Sequence, residues 1–141
     1  MRERFPSEYE HFERSGGRLL HVLPDHGLFS FAIATFVIET ICQPSVRAHI
    51  ISQVRKLLRP GGWLVLSLRG PRDLVTAQNQ GRPCSDGYIT PHFTFSRSYT
   101  RSQLRYFLAQ CRFSKLEFLH KKKTKEPELL HVVAWKAGMD K

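Results

Sequence analysis

Cysteine is scarce in this sequence. The three residues, Cys42, Cys84 and Cys111, are odd in number, far apart along the chain and without metal-ligand spacing. That pattern argues against a zinc site and for reduced thiols in a cytoplasmic protein. The seven histidines are scattered, with no i, i+4 pair of the kind a helical metal site needs. Long apolar runs are lacking too. The longest, around Leu28 to Ile38, is too short and too interrupted to span a bilayer, so no membrane partner is expected. The opening stretch, Met1 to Arg14, is rich in charge and does not read as a secretory leader. Internal repeats are absent. Acidic residues are outnumbered, 12 against 22 Lys and Arg, for a net charge of +10. A basic balance favours acidic partners, nucleic acid first among them. No aromatic-basic RNA motif or helix-turn-helix signature accompanies the charge, so a solvated basic surface is the stronger reading. The densest cluster, Lys121-Lys122-Lys123-Thr124-Lys125, falls between two predicted strands. It reads as a solvated hairpin loop, with a phosphate-contacting loop as the sharper alternative.

What is present points to one α/β domain. The length of 141 residues fits a single domain, and 41% hydrophobic residues suit a packed core. The clearest signal is Leu57-Leu58-Arg59-Pro60-Gly61-Gly62-Trp63-Leu64-Val65-Leu66-Ser67. Pro60 disfavours helical geometry at Arg59, which predicts a helix stop there. Gly61 and Gly62 can adopt the positive φ that ends a helix and reverses the chain. Trp63 to Leu68 is almost continuously apolar, as expected of a strand covered on both faces. Upstream, Phe29 to Ile38 is a second strand-like run. Pro44 suits a first helical turn. Val46, Ile50, Ile51, Val54, Leu57 and Leu58 then mark one apolar helix face, with Arg47, His49, Gln53, Arg55 and Lys56 mostly off it. Phe29 to Leu68 thus reads strand, helix, strand, with the strands parallel.

Phe29 to Ile41, the helix after it and Leu58-Arg59-Pro60-Gly61-Gly62-Trp63-Leu64-Val65-Leu66-Ser67 resemble the fourth strand, fourth helix and fifth strand of class I S-adenosylmethionine-dependent methyltransferases. Tyr99-Thr100-Arg101-Ser102-Gln103-Leu104 through Cys111-Arg112-Phe113 is similar to that fold's last helix leading into its sixth strand. Glu128 to Trp135 is similar to its seventh. The resemblance covers roughly residues 17–136 and implies a partial Rossmann-like fold, with a mostly parallel sheet and an antiparallel C-terminal strand pair. It also implies S-adenosylmethionine as cofactor. Yet the chain has no Gly-x-Gly-x-Gly pattern, and the usual Asp near the start of the fourth strand is Ser30. In the family, that glycine loop and an acidic residue ending the second strand grip the methyl donor. The expectation is therefore the C-terminal half of the fold, with an incomplete donor site: a truncated product, an expressed fragment or one member of a split pair. A sheet without its first strands should leave an apolar edge and face uncovered, to be met by a homodimer or a partner chain.

The organisation expected is one partial domain over 1–141. Residues 17–68 form its strand-helix-strand core, with a strand over Arg18 to Leu23. Residues 70–98 form an irregular acceptor-side segment, with a short helix near Arg72 to Gln80 and a Gly/Pro-punctuated loop from Gly81 to His92. Residues 99–136 form a helix and the closing strand pair. Thr100-Arg101-Ser102-Gln103 is a capping box, and Leu104, Phe107, Leu108 and Cys111 are an apolar stripe behind it. Ligands in open α/β sheets bind beyond the carboxyl ends of the strands. The resemblance places Thr35 and Phe36 near the donor's sulfonium end. Glu39 is either a helix N-terminal charge or an acceptor-orienting acid. Arg69 and Arg72, with Asp73, lie at the lip of the second strand end and suit a carboxylate or phosphate. Tyr88, Asp86 and His92 are polar tips of an acceptor-covering loop, and the His92 imidazole is the candidate there for proton removal. Methyl transfer is an in-line displacement at an activated carbon and needs no universal catalytic side chain. Two other readings stand beside a methyltransferase portion. One is an accessory subunit that lends a wall to a cofactor-binding partner. The other is a basic nucleic-acid-binding module on a degenerate methyltransferase fold.

Overall fold

The computed structural model describes residues 6–16, 27–119 and 129–138. The predicted strand over Arg18 to Leu23 and the Lys121–Lys125 cluster lie outside the described residues. The described elements are α1 (Pro6–Arg14), β1 (Phe29–Thr35), a 3-10 turn (Ile38–Thr40), α2 (Pro44–Leu57), β2 (Leu58–Arg69), α3 (Pro71–Gln80), β3 (Arg82–Cys84), β4 (Gly87–Ile89), β5 (Phe95–Ser96), α4 (Arg101–Gln110), β6 (Lys115–Phe118) and β7 (Leu129–Trp135).

The main sheet has the order β1-β2-β7-β6. β1 pairs with β2 in parallel, and β7 is antiparallel to both β2 and β6. β6 therefore runs with β1 and β2, and only β7 opposes them. The sheet is mostly parallel with an antiparallel closing pair, as the sequence predicts.

The helix-to-strand junction differs in detail from the expectation. α2 has Pro44 in its first turn and ends at Leu57, and Leu58 is already extended with φ −73° and ψ 136°. The strand starts there and not at Trp63. Phe29 faces Leu58 and Phe31 faces Trp63, so the intervening Arg59-Pro60-Gly61-Gly62 bulges out of register. Gly61 turns the bulge with φ +73°. Gly62 serves a different need, because a Cβ there would lie 2.9 Å from the Arg59 carbonyl oxygen and 3.1 Å from that of Ser30. The bulge is tied to the chain's closing strand by Lys136 N donating to Gly62 O at 2.8 Å and by Lys136 Nζ donating to Leu58 O at 2.6 Å. Burial pushes the Lys136 ammonium below its ordinary pKa.

One face of the sheet is covered. Leu64, Leu66 and Leu68 of β2 and Leu130, Val132 and Ala134 of β7 are buried with Ile51 of α2 and Leu104 and Leu108 of α4. Each such leucine contributes roughly 2 kcal/mol of burial. α4 carries the expected capping box: Gln103 N donates to Thr100 Oγ1 at 3.1 Å, and Thr100 N donates to Gln103 Oε1 at 3.0 Å. On the opposite face, Phe31 is 51% exposed and Ile33 66%, and among the described residues no strand pairs with the other side of β1. Phe31 stacks on Trp63 with ring centroids 5.0 Å apart.

The segment predicted as an irregular loop from Gly81 to His92 is partly regular. β3, β4 and β5 form a second antiparallel sheet, joined by a two-residue turn at Ser85-Asp86. Ser85 takes φ 53° at the first turn position, where a right-twisted hairpin needs a positive value. Gly87 is required next, since a Cβ there would lie 2.5 Å from the Phe95 ring and from Ser96 O. Strands of two or three residues, one of them holding Pro83, are too short to show alternation.

Candidate functional site

The carboxyl ends of β1 and β2 form one exposed rim. Phe36 N donates to Ser67 O at 3.0 Å, which extends the parallel pairing past Thr35. The chain then leaves the sheet at Phe36, whose φ of 54° is uncommon for a non-glycine residue and costs backbone strain. The strained turn keeps Thr35, Phe36 and Val37 at the surface, while Ile38 and Glu39 drop into the interior. Across the sheet, Thr35 is in register with Ser67 and Ser67 with His131. Ser67 Oγ and His131 Nδ1 are 2.8 Å apart. A row of two hydroxyls and an imidazole thus crosses the second face of the sheet near the rim, with Ser67 buried within it.

Beside the rim lies a charge cluster built on one buried arginine. Arg47, on α2, is 1% exposed and donates to Asp86 Oδ2. Arg97 Nη1 reaches the same carboxylate oxygen at 2.7 Å and Asp86 O at 2.7 Å. Arg97 N donates to Glu39 O at 2.9 Å, which ties the segment after β5 to the 3-10 turn. The guanidinium of Arg97 lies 4.5 Å from the Tyr99 ring centroid, and that of Arg47 lies 5.9 Å from the Phe95 ring centroid. Burial pushes the Tyr99 hydroxyl above its ordinary pKa, against the pull of both arginines. Arg47, Asp86, Arg97, Tyr99, Gln103 and Tyr106 line a cleft of about 230 Å³ between α2, α4 and the β3–β4 hairpin.

The predicted site residues fall in three places. Thr35, Phe36 and Arg69 sit together at the strand ends, all exposed, and Tyr99 N donates to Arg69 O at 3.2 Å. Arg72 follows on the exposed first turn of α3, and the side chain of Asp73 lies outside the described residues. Tyr88 is half-buried in β4 opposite Ser96 and Pro83, and His92 is exposed in the turn closed by Thr90 N donating to Thr94 O at 2.8 Å. Glu39 is fully buried, so its carboxylate is screened from the rim, and it sits five residues ahead of Pro44 at the start of α2.

Sequence reasoning missed the cluster because it placed Arg47 off the apolar face of α2. Arg47 lies one turn ahead of Ile51, on the buried stripe. That spacing was the available signal. The cysteines, far apart in sequence, also meet: Cys42 Sγ and Cys84 Sγ are 3.7 Å apart. A hydrogen bond to Cys84, then burial, pushes the Cys42 thiol above its ordinary pKa. Ser67–His131 is a juxtaposition made by strand register and had no local signal.

No protein-family model and no curated protein matches the chain. Solved structures do. An S-adenosylmethionine-dependent methyltransferase from Methanosarcina mazei aligns with TM-score 0.62 at 20% identity, over 83% of this chain and 64% of that one. The fold is that of the class I methyltransferases. The 1,6-didemethyltoxoflavin-N1-methyltransferase of Burkholderia thailandensis, solved with its substrate and S-adenosylhomocysteine, aligns with TM-score 0.67 at 18% identity, over 94% of this chain and 57% of that one. A methyltransferase from Clostridium acetobutylicum gives 0.65 at 11% identity, over 98% and 73%. The chain therefore spans less than two thirds of the length of the first two methyltransferases it matches. At these identities the likeness is one of fold.

Proposed function

We propose that this chain supplies the acceptor-side half of an S-adenosylmethionine-dependent methyl-transfer site, and that the donor is gripped only when a second, glycine-loop-bearing half covers β1. The observation that carries this reading is the rim itself. A parallel strand pair of methyltransferase topology ends in an exposed hydroxyl, Thr35, and a half-exposed ring, Phe36, on a strained turn, and β1 is an edge strand among the described residues. The fit of the donor to the residues present is partial. Phe36 and Thr35 would offer one wall and one hydroxyl to the methionine end. The acid closest to them in sequence, Glu39, is fully buried and presents no carboxylate to ribose hydroxyls. When bound, the donor supplies an already activated methyl group, and the protein's part is alignment and exclusion of water. In this reading Arg69, Arg72 and Tyr88 hold the acceptor and His92 takes its proton.

The test is methyl transfer from radiolabelled S-adenosylmethionine to a panel of small-molecule, nucleic-acid and protein acceptors. It uses the chain alone and the chain mixed with the polypeptide encoded immediately upstream. Transfer by the mixture and not by the chain supports the reading. Transfer by the chain alone overturns the incomplete site, and no transfer by either overturns the methyl-transfer assignment.

A further inference from the structure

Two of the three cysteines meet where the β3–β4 hairpin docks against the loop that leads into α2. Cys42 precedes α2 by two residues, and Cys84 is the last residue of β3, paired across the hairpin with Gly87. Their sulfurs are 3.7 Å apart, and both residues are half-buried and free. A disulfide needs the sulfurs at about 2.05 Å, a closure within reach of side-chain rotation. We propose that Cys42 and Cys84 form a reversible disulfide that clamps the hairpin to the rim of the sheet.

The location gives the bond a consequence. Asp86 lies two residues beyond Cys84 and accepts from both Arg47 and Arg97. In the reduced protein, the hairpin is tied to its seat by those two ion pairs, by Arg97 Nη1 donating to Asp86 O and by the thiol contact. Oxidation adds a covalent tie at the same spot, closing a loop that runs from the 3-10 turn through α2, β2 and α3. The hairpin also carries Asp86 into the cleft between α2 and α4, so the clamp fixes one wall of that cleft. Cys111 is a built-in control: it is buried, 5% exposed, and its thiol points to Ala48 O at 3.9 Å and not to another sulfur.

The oxidant is a hydroperoxide. One thiolate attacks the peroxide oxygen, the O–O bond breaks, and a sulfenic acid and an alcohol (or water) result. The second thiol displaces water from the sulfenic sulfur. Both sulfurs are oxidised by one electron each and the peroxide is reduced by two. A dithiol reverses the bond by exchange. The clamp stands independently of the methyl-transfer reading.

The experiment treats the full chain with hydrogen peroxide, counts thiols, maps non-reduced peptides and follows the thermal midpoint. The free thiols should fall from three to one, with a single intramolecular peptide pair joining Cys42 to Cys84. The midpoint should rise by roughly 5 °C or more, and dithiothreitol should abolish the rise. Cys111→Ser should form the same internal pair as the parent chain, whereas Cys42→Ser and Cys84→Ser should each form no internal pair and show no rise. Three outcomes overturn the proposal: cross-linked dimers or oxygen adducts in place of the internal pair, a link that uses Cys111, or an internal pair that leaves the midpoint unchanged.

Discussion

The two faces of the main sheet are made by alternate residues of the same strands, yet their fates differ. On one face, Leu64, Leu66, Leu68, Leu130 and Val132 are fully buried against α2 and α4. On the other, Phe31 and Ile33 are exposed and Trp63, Val65, Val133 and Trp135 are half-buried. Both sets are apolar. A strand that is apolar on both sides is built for two covers, and among the described residues one face has a full cover. Among the described residues β1 also ends the sheet, with Phe29, Phe31 and Ile33 exposed along it, which is the kind of surface proteins ordinarily hide.

The largest effect separates the faces directly. Leu66→Ala should cost about 3–4 kcal/mol, because it opens a cavity under α2 and α4. Ile33→Ala should change stability by less than about 0.5 kcal/mol, since the side chain packs on little. Urea titration of both variants measures the contrast, and equal losses would erase the distinction between covered and open faces. Next, Asp86→Ala should cost about 3 kcal/mol by leaving Arg47 buried without its carboxylate, and chemical denaturation should show it. Asp86→Asn should recover part of that loss through a neutral hydrogen bond. Thr100→Ala removes one half of the capping box and should cost about 1 kcal/mol, read as a lower urea midpoint with unchanged slope.

The smallest effect concerns pH. Burial raises the Tyr99 hydroxyl above its ordinary 10.0. The folded state therefore holds that proton more tightly than the unfolded state. Its contribution is fully present below pH 10 and is lost as pH rises from there through the raised value. Tyr99→Phe should flatten the alkaline fall in the thermal midpoint, and an identical fall in both proteins would remove Tyr99 as its source.

How much of this was legible in the sequence depends on the range of the interactions. α2, α3, β1 and the capping box of α4 are local patterns, written in the periodicity of Ile51 and Val54 or in the Thr100–Gln103 spacing. The two-faced character of β2 was legible as an unbroken apolar run. The second small sheet was not, because strands as short as Phe95–Ser96 carry no alternation. Arg47 was misplaced because a charge was taken as solvated, although it sits one turn from Ile51 on the stripe that packs. Its burial depends on Asp86, 39 residues away. The Cys42–Cys84 and Ser67–His131 contacts are of the same kind: register and packing create them, and no neighbour in the sequence announces them. At the rim, the strand ends fixed the positions of Thr35 and Arg69, whereas the burial of Glu39 follows from the positive φ at Phe36, which an aromatic residue does not advertise.

The central claim is that the methyl donor is not held until a second half completes the site. Calorimetric titration of S-adenosylmethionine into the chain alone tests it most directly. The expected result is no saturable heat up to millimolar donor; saturable binding with a micromolar dissociation constant would contradict it.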